Sequence, residues 1–152
     1  SWCNNGFYLK QRPLFVLDPL WHAGAYYVQE ASSMFLQYLL EQITPHPLPI
    51  KVLDLCAAPG GKTTLLANYF SNGLVVANET IKPRNAILVE NLTKWGADHI
   101  VVTQNDPTHF KSLPLFFDVL MIDATHLKAH RTASSLLKKG LLPDVSGEPK
   151  VG

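Results

Sequence analysis

The chain has 152 residues, room for one globular domain of ordinary size and too few for two. Apolar residues make up 47% and charged residues 16%, which excludes a solvating, disordered segment and predicts a chain that buries a core. Thirteen basic against twelve acidic residues leave a net charge of +1, so no whole-domain electrostatic grip on phosphate backbones or anionic lipid is expected.

Residues 1–29 mix aromatics with turn formers such as Asn4-Asn5-Gly6, Pro13, Asp18-Pro19 and Gly24. They punctuate short apolar stretches such as Phe15-Val16-Leu17 and predict irregular structure with one short strand. From Glu30 the pattern becomes helical, with Ala31, Phe35, Tyr38, Leu39 and Ile43 as the expected apolar stripe. Thr44-Pro45 ends that helix, and the prolines at 45, 47 and 49 make a stiff connector because each removes a donor and fixes φ. A βα rhythm follows. Strands are expected at Lys51–Leu55, Leu74–Asn78, His99–Thr103 and Phe117–Asp123, with helices over Lys62–Phe70 and about Arg84–Trp95. Leu65, Leu66, Tyr69 and Phe70 form one buried side, and Ile87, Leu88, Leu92 and Trp95 another, with Gly96 suited to the position after the helix. Such alternation predicts an α/β fold with a parallel sheet, right-handed crossovers and helices on both faces.

Past Ala124 the rhythm stops. A modest helix is expected over Thr125–Lys139, in a tail of residues 125–152 that holds the chain's positive excess: Lys128, Arg131, Lys138, Lys139 and Lys150 against Asp144 and Glu148. With no interleaved aromatics this reads as a charged, exposed face before it reads as an RNA contact. His126 and His130 share a helical spacing but lack a third ligand and the glutamate of a zinc-helix motif, so no metal site is expected. Two cysteines, Cys3 and Cys56, make no disulfide framework, and no apolar run approaches the roughly 18 to 20 residues that span a bilayer. A cytoplasmic location and no membrane partner are the expectation. The aromatic-rich opening without an initiating Met reads as the interior of a longer protein.

In open α/β sheets ligands sit at the carboxyl ends of the strands, which directs attention to Cys56-Ala57-Ala58-Pro59-Gly60-Gly61-Lys62-Thr63. Small residues let the backbone approach a ligand, and the following helix N-terminus favours an anionic group. Gly61-Lys62-Thr63 supplies the end of a phosphate-binding P-loop, but Cys56 occupies the place of its first glycine. A nucleotide hydrolase is therefore the lesser alternative. S-adenosylmethionine fits better: Asp54 stands at the loop's start, Glu79 closes the second strand 19 residues after Gly60, and Asp106 follows the third. Each acid alone also reads as a strand-end or helix-cap carboxylate. Together with the Gly-Gly loop they read as a nucleoside pocket, with Glu79 on the ribose and Asp106 near the adenine amine.

Asp54-Leu55-Cys56-Ala57-Ala58-Pro59-Gly60-Gly61-Lys62-Thr63 closely resembles the signature of the NOL/NOP/Sun family of RNA (cytosine-5) methyltransferases. The likeness extends over Gly24–Met34, Ala77-Asn78-Glu79, Lys82, Arg84, Glu90-Asn91-Leu92, Trp95-Gly96, Gln104-Asn105-Asp106 and Phe117–Ala124, covering about residues 1–124. It implies an incomplete Rossmann-like methyltransferase fold with the first four parallel strands, truncated after the fourth. By this resemblance residues 1–49 are the end of a substrate-side region, 50–124 the first half of the catalytic domain, and 125–152 a divergent tail. It also implies S-adenosylmethionine as cofactor and ribosomal or transfer RNA as partner. Cys56, Ala57, Ala58, Pro59, Gly60, Gly61 and Lys62 would hold the methionine end, with Glu79, Arg84, Asp106 and Asp123 completing the site and Asp123 lining the target-base pocket.

The chain departs from the family where the chemistry belongs. Cytosine C5 is a poor nucleophile, and these enzymes add a cysteine thiolate to C6 to activate it. The family places one cysteine in Asp-Ala-Pro-Cys after the fourth strand and its nucleophile after the fifth; here Asp123-Ala124 is followed by Thr125-His126-Leu127. Cys56 sits in the cofactor loop, at the wrong strand end. The expectation is a chain that binds S-adenosylmethionine weakly at best and transfers no methyl group. The competing expectation is a catalytically dead RNA-binding or assembly module. An unpaired sheet edge at the fourth strand predicts self-association.

Overall fold

The computed structural model describes residues 3–43 and 49–122. The fold is organised around four parallel strands, β1 (Lys51–Asp54), β2 (Leu74–Asn78), β3 (Ile100–Thr103) and β4 (Val119–Met121), in the order β3-β2-β1-β4. The chain steps outward from β1 to β3 and then returns to the other side of β1, so the strand order reverses there. The carboxyl end of β1 is the topological switch point, where open α/β sheets form their ligand crevice. The register pairs Leu53 with Val76 and with Leu120, and Ala77 with Val102. Among the described residues the outer edge of β4 has no strand beside it. The expected strands of the sheet are all present, β1, β3 and β4 being shorter than the apolar runs that foretold them.

Side chains alternate across the sheet. Val52 and Val75 face Leu65, Leu66, Tyr69 and Phe70 of α3 (Gly61–Tyr69) and its cap, with Leu40 of α2 (Ala31–Ile43) behind them. Further along the same face Ala77 meets Leu88 and Leu92 of α4 (Lys82–Trp95). Val52, Leu66, Val75, Ala77 and Leu88 are wholly buried, and each large side chain among them contributes about 1.5 to 3 kcal/mol relative to exposure. Gly96 ends α4 in the left-handed conformation at φ 75°, as its position after the helix foretold.

Four expectations are corrected. Helices do not cover both faces among the described residues: Leu53 and Val76 on the second face meet Phe110 of the 3-10 helix Pro107–Ser112 and Phe117. The short strand expected within residues 1–29 is absent among the described residues, and the apolar stretch Phe15–Leu17 is a 3-10 turn that leads into the short helix α1 (Pro19–His22). Asp18 caps α1 by accepting the Leu20 amide at 2.9 Å, and Pro19 supplies the preset φ of a first helical turn. The face of α2 is rotated from the expected stripe, since Met34, Gln37 and Leu40 are buried while Phe35, Tyr38, Leu39 and Ile43 are exposed. The helix docks on α3 rather than on the sheet, and that neighbour selects the narrower i, i+3, i+6 face. In α4, Leu88 and Leu92 are buried but Ile87 is half exposed. The Pro-rich connector and the tail with its histidines lie outside the described residues, apart from Pro49. No helix among the described residues is long and apolar enough to cross a membrane, and no group of three metal-ligating side chains occurs among them.

Candidate S-adenosylmethionine site

The loop Leu55–Gly60 leaves β1 at the switch point and enters α3. It is a buried loop: Cys56, Ala57 and Ala58 are each about 5% exposed or less. Two of its amides bond to main-chain carbonyls, that of Ala57 to Asn78 of β2 at 2.9 Å and that of Gly60 to Ala57 at 2.8 Å. Gly60 takes φ 110° and offers α3 no side-chain cap, so the positive end of that helix carries no carboxylate or hydroxyl from this position. A side chain at Gly61 would collide with Gln29, whose Oε1 would lie 2.6 Å from the new carbon. Lys62 is half-buried in the first turn of α3.

Three side chains from distant parts of the chain hold this loop by its carbonyls. Arg84 donates to Ala58 at 2.7 Å, Asn91 to Pro59 at 2.8 Å, and Gln29 to Gly61 at 2.7 Å. A fourth, Asn78, is wholly buried at the end of β2 and donates to Leu55 and Asn105 while accepting from Thr103 and Asn105. None of these holding roles is visible in the local sequence. The local signal that existed was the polar identity of Asn78 at the end of an apolar run, and the sequence separations of 23 to 32 residues left the partners of Asn78 and Asn91 open.

The acids at the strand ends have different roles. Asp54 is 1% exposed and accepts the Thr63 hydroxyl at 2.6 Å, tying the last residue of β1 to the first turn of α3. Asp106 is exposed and caps the 3-10 helix, accepting the Thr108 amide at 2.8 Å and hydroxyl at 2.6 Å on Oδ1. Glu79 is 2% exposed; its Oε1 accepts the Ile81 amide at 3.0 Å, while Oε2 lies 3.8 Å from Arg84 Nε and has no hydrogen-bond partner. A buried carboxylate oxygen left without a donor is costly. Arg84 stands between this acid and the loop. Beside Gly61, burial raises the Tyr27 phenol above its ordinary value. Asp123 lies outside the described residues.

The sequence profile of the 16S rRNA methyltransferase RsmB/F family matches residues 42–128. The chain belongs to this family. The ribosomal RNA small subunit methyltransferase F of Shewanella oneidensis is 41% identical over 127 residues, 81% of this chain and 26% of that protein. Its counterpart in Pectobacterium atrosepticum is 36% identical over 129 residues, with the same two shares. The chain therefore spans about a quarter of the length of the curated relatives it matches. Among solved structures, NSun6 from Pyrococcus horikoshii with SFG superposes at a TM-score of 0.64 with 28% identity, covering 74% of this chain and 29% of that one. A methyltransferase homologue from the same organism gives 0.57 and 30%, covering 80% and 40%. RsmB/F proteins are S-adenosylmethionine-dependent RNA methyltransferases, and the four strands seen here are those of their Rossmann-like fold.

Proposed function

We propose that this chain carries the S-adenosylmethionine-binding part of an RNA (cytosine-5) methyltransferase acting on ribosomal or transfer RNA, and that alone it transfers no methyl group. The observation that carries the cofactor reading is Glu79 Oε2, buried at the end of β2 without a hydrogen-bond donor. A ribose hydroxyl is a donor of the right kind for that oxygen. The backbone of Cys56–Gly61 and Lys62, at the open end of α3, suit the methionine carboxylate. Asp106, following β3, is the acid for the adenine amine, and its Oδ1 is engaged by Thr108. Arg84 balances the Glu79 charge and holds Ala58. Asp123 is assigned to the target-base pocket from the resemblance alone.

When bound, S-adenosylmethionine supplies an electrophilic methyl group. Cytosine must first be activated by a thiolate, and the two cysteines of this chain do not serve. Cys56 is buried within the cofactor loop, and Cys3 lies in the turn that Gly6 closes ahead of the first helix. The residues after Asp123 are Ala124, Thr125 and His126, where the family resemblance calls for a cysteine.

Calorimetry with S-adenosylmethionine and a labelled-methyl transfer assay on ribosomal RNA test the two halves of this reading. Heat of binding without transfer is expected. Labelled cytosine produced by the purified chain would refute the inactivity, and absence of heat would refute the cofactor site in favour of a dead RNA-binding module.

A further inference from the structure

Residues 18–29 cross from the last turn of α4 to the first turn of α3. The crossing is anchored at both ends. At one end Gly24 lies so close to the backbone of Lys94 that a side-chain carbon there would fall 1.9 Å from the Lys94 carbonyl oxygen, and the Lys94 ammonium sits 5.1 Å from the centre of the Trp21 ring. At the other end Gln29 donates to the Gly61 carbonyl at 2.7 Å, and the Tyr27 ring reaches to 3.1 Å of where a Gly61 side chain would begin. Between the anchors the segment does not pack solidly. A half-open pocket of about 120 Å³ lies between it and α4, bounded in part by Trp21, Tyr26, Tyr27, Asn91 and Trp95.

We propose that Gln29 is a positioning residue that fixes the methionine side of the cofactor loop, making cofactor affinity depend on the segment ahead of the sheet. This rests on the S-adenosylmethionine reading above. Gly61 is the first residue of α3, so its orientation aims the opening amides of that helix. Its carbonyl takes a hydrogen bond from Thr64 within the helix and one from Gln29 outside it. Of these two bonds only the second reaches another part of the fold, while the Thr63 hydroxyl ties the same turn to Asp54 of β1 through a side chain and leaves the Gly61 carbonyl untouched. The half-open pocket interrupts the packing of residues 26–28 on the α4 side, so beside Gly61 the Tyr27 ring offers contact and Gln29 the hydrogen bond. Arg84 and Asn91 hold the other side of the loop, at Ala58 and Pro59, and leave Gly61 to Gln29.

The position of the contact gives it a distinctive signature. Loss of Gln29 disturbs the methionine end of the pocket and spares the nucleoside end, which Glu79 holds just past the end of β2. Gln29→Ala and Gln29→Glu are titrated by calorimetry with S-adenosylmethionine and with adenosine, which lacks the methionine arm. For Gln29→Ala, binding of S-adenosylmethionine weakens about tenfold, the scale of one lost positioning hydrogen bond, while adenosine changes less than about twofold. Gln29→Glu weakens S-adenosylmethionine further, since a carboxylate cannot donate to the Gly61 carbonyl and stands against it. Equal weakening of both ligands, or no change in either, overturns the proposal. Amide hydrogen exchange of the unliganded protein supplies a reading that does not depend on the cofactor. Gln29→Ala is expected to speed exchange across residues 57–62 and leave β1 and β2 at the wild-type rate. If the wild-type chain binds neither ligand, the cofactor reading fails; unchanged exchange in the loop then overturns the positioning role as well, and faster exchange sustains it.

Discussion

Asn78 and Asn105 pair through both edges of one amide group: the Asn105 amide donates to Asn78 Oδ1 at 2.8 Å, and Asn78 Nδ2 donates to the Asn105 carbonyl at 3.0 Å. The side chain thereby continues the β2–β3 ladder past the last strand residue, and it also reaches back to the Leu55 carbonyl at 3.2 Å. Three strand ends meet on one wholly buried side chain. Asn78→Ala leaves several of these groups without partners, at a cost of about 3 kcal/mol. Urea denaturation should show the loss, and a cost below about 1 kcal/mol would mean that water replaces the amide.

Gly24 and Gly96 have nearly the same backbone, at φ 74° and 75°, and opposite surroundings. At Gly96 a side-chain carbon meets nothing within 4 Å, whereas at Gly24 it runs into the Lys94 carbonyl. Gly96→Ala should cost about 1 kcal/mol, from the left-handed conformation alone. Gly24→Ala should cost at least twice that, or release the segment from α4. Denaturation curves give the first quantity, and tryptophan emission reports the release, since Trp21 and Trp95 both border the pocket between the segment and α4.

Thr63 clamps Asp54 across the loop at 2.6 Å with both residues buried. Thr63→Val keeps the shape and removes the donor, and should destabilise the protein by about 1 to 3 kcal/mol. Thr63→Ser keeps the hydroxyl and should recover most of that loss. Comparable stability for the Val and Ser variants would show that the clamp contributes through shape alone.

The Tyr26 hydroxyl donates to Asp18 at 2.6 Å. That bond, with the Leu20 amide second, holds the Asp18 carboxyl below its usual range, and it pushes the Tyr26 phenol up to about 12. The signs follow from which form is favoured. Asp18 helps to hold the segment above the ordinary carboxylate pKa of about 4, and its contribution disappears as pH falls through the lowered value. Tyr26 contributes below about pH 10, and its contribution is lost as pH rises toward the elevated value. A tyrosinate absorbance titration should show one tyrosine ionising near 12 that Tyr26→Phe deletes and Asp18→Asn shifts back toward its ordinary range. An unchanged titration in Asp18→Asn would rule out this pairing.

Much of the scaffold was legible because it depends on local pattern. Apolar runs such as Leu74–Asn78 mark strands buried on both faces, and Gly96 marks a helix end through a conformation that other residues adopt at a cost. The face of α2 was not legible. Its apolar residues occupy more than one side, and contact with α3 selected Met34, Gln37 and Leu40. The second sheet face was misjudged for a similar reason, since periodicity says that a strand is buried and not whether a helix or a 3-10 turn covers it. At the site, the loop and Glu79 stood out by spacing, while Gln29, Asn78 and Asn91 did not, because their partners lie 23 or more residues away.

By itself the sequence determined that strands alternate with helices, that a small-residue loop follows the first strand, and that acids stand at the ends of the first three. The tertiary structure alone decided what each acid does. Asp54 became a clamp because Thr63 came within 2.6 Å of it, Asp106 a cap because its own chain turned back onto it, and Glu79 kept one oxygen without a donor. A carboxylate's role follows from the donors that surround it, and those donors are assembled from segments far apart in sequence only when the sheet forms.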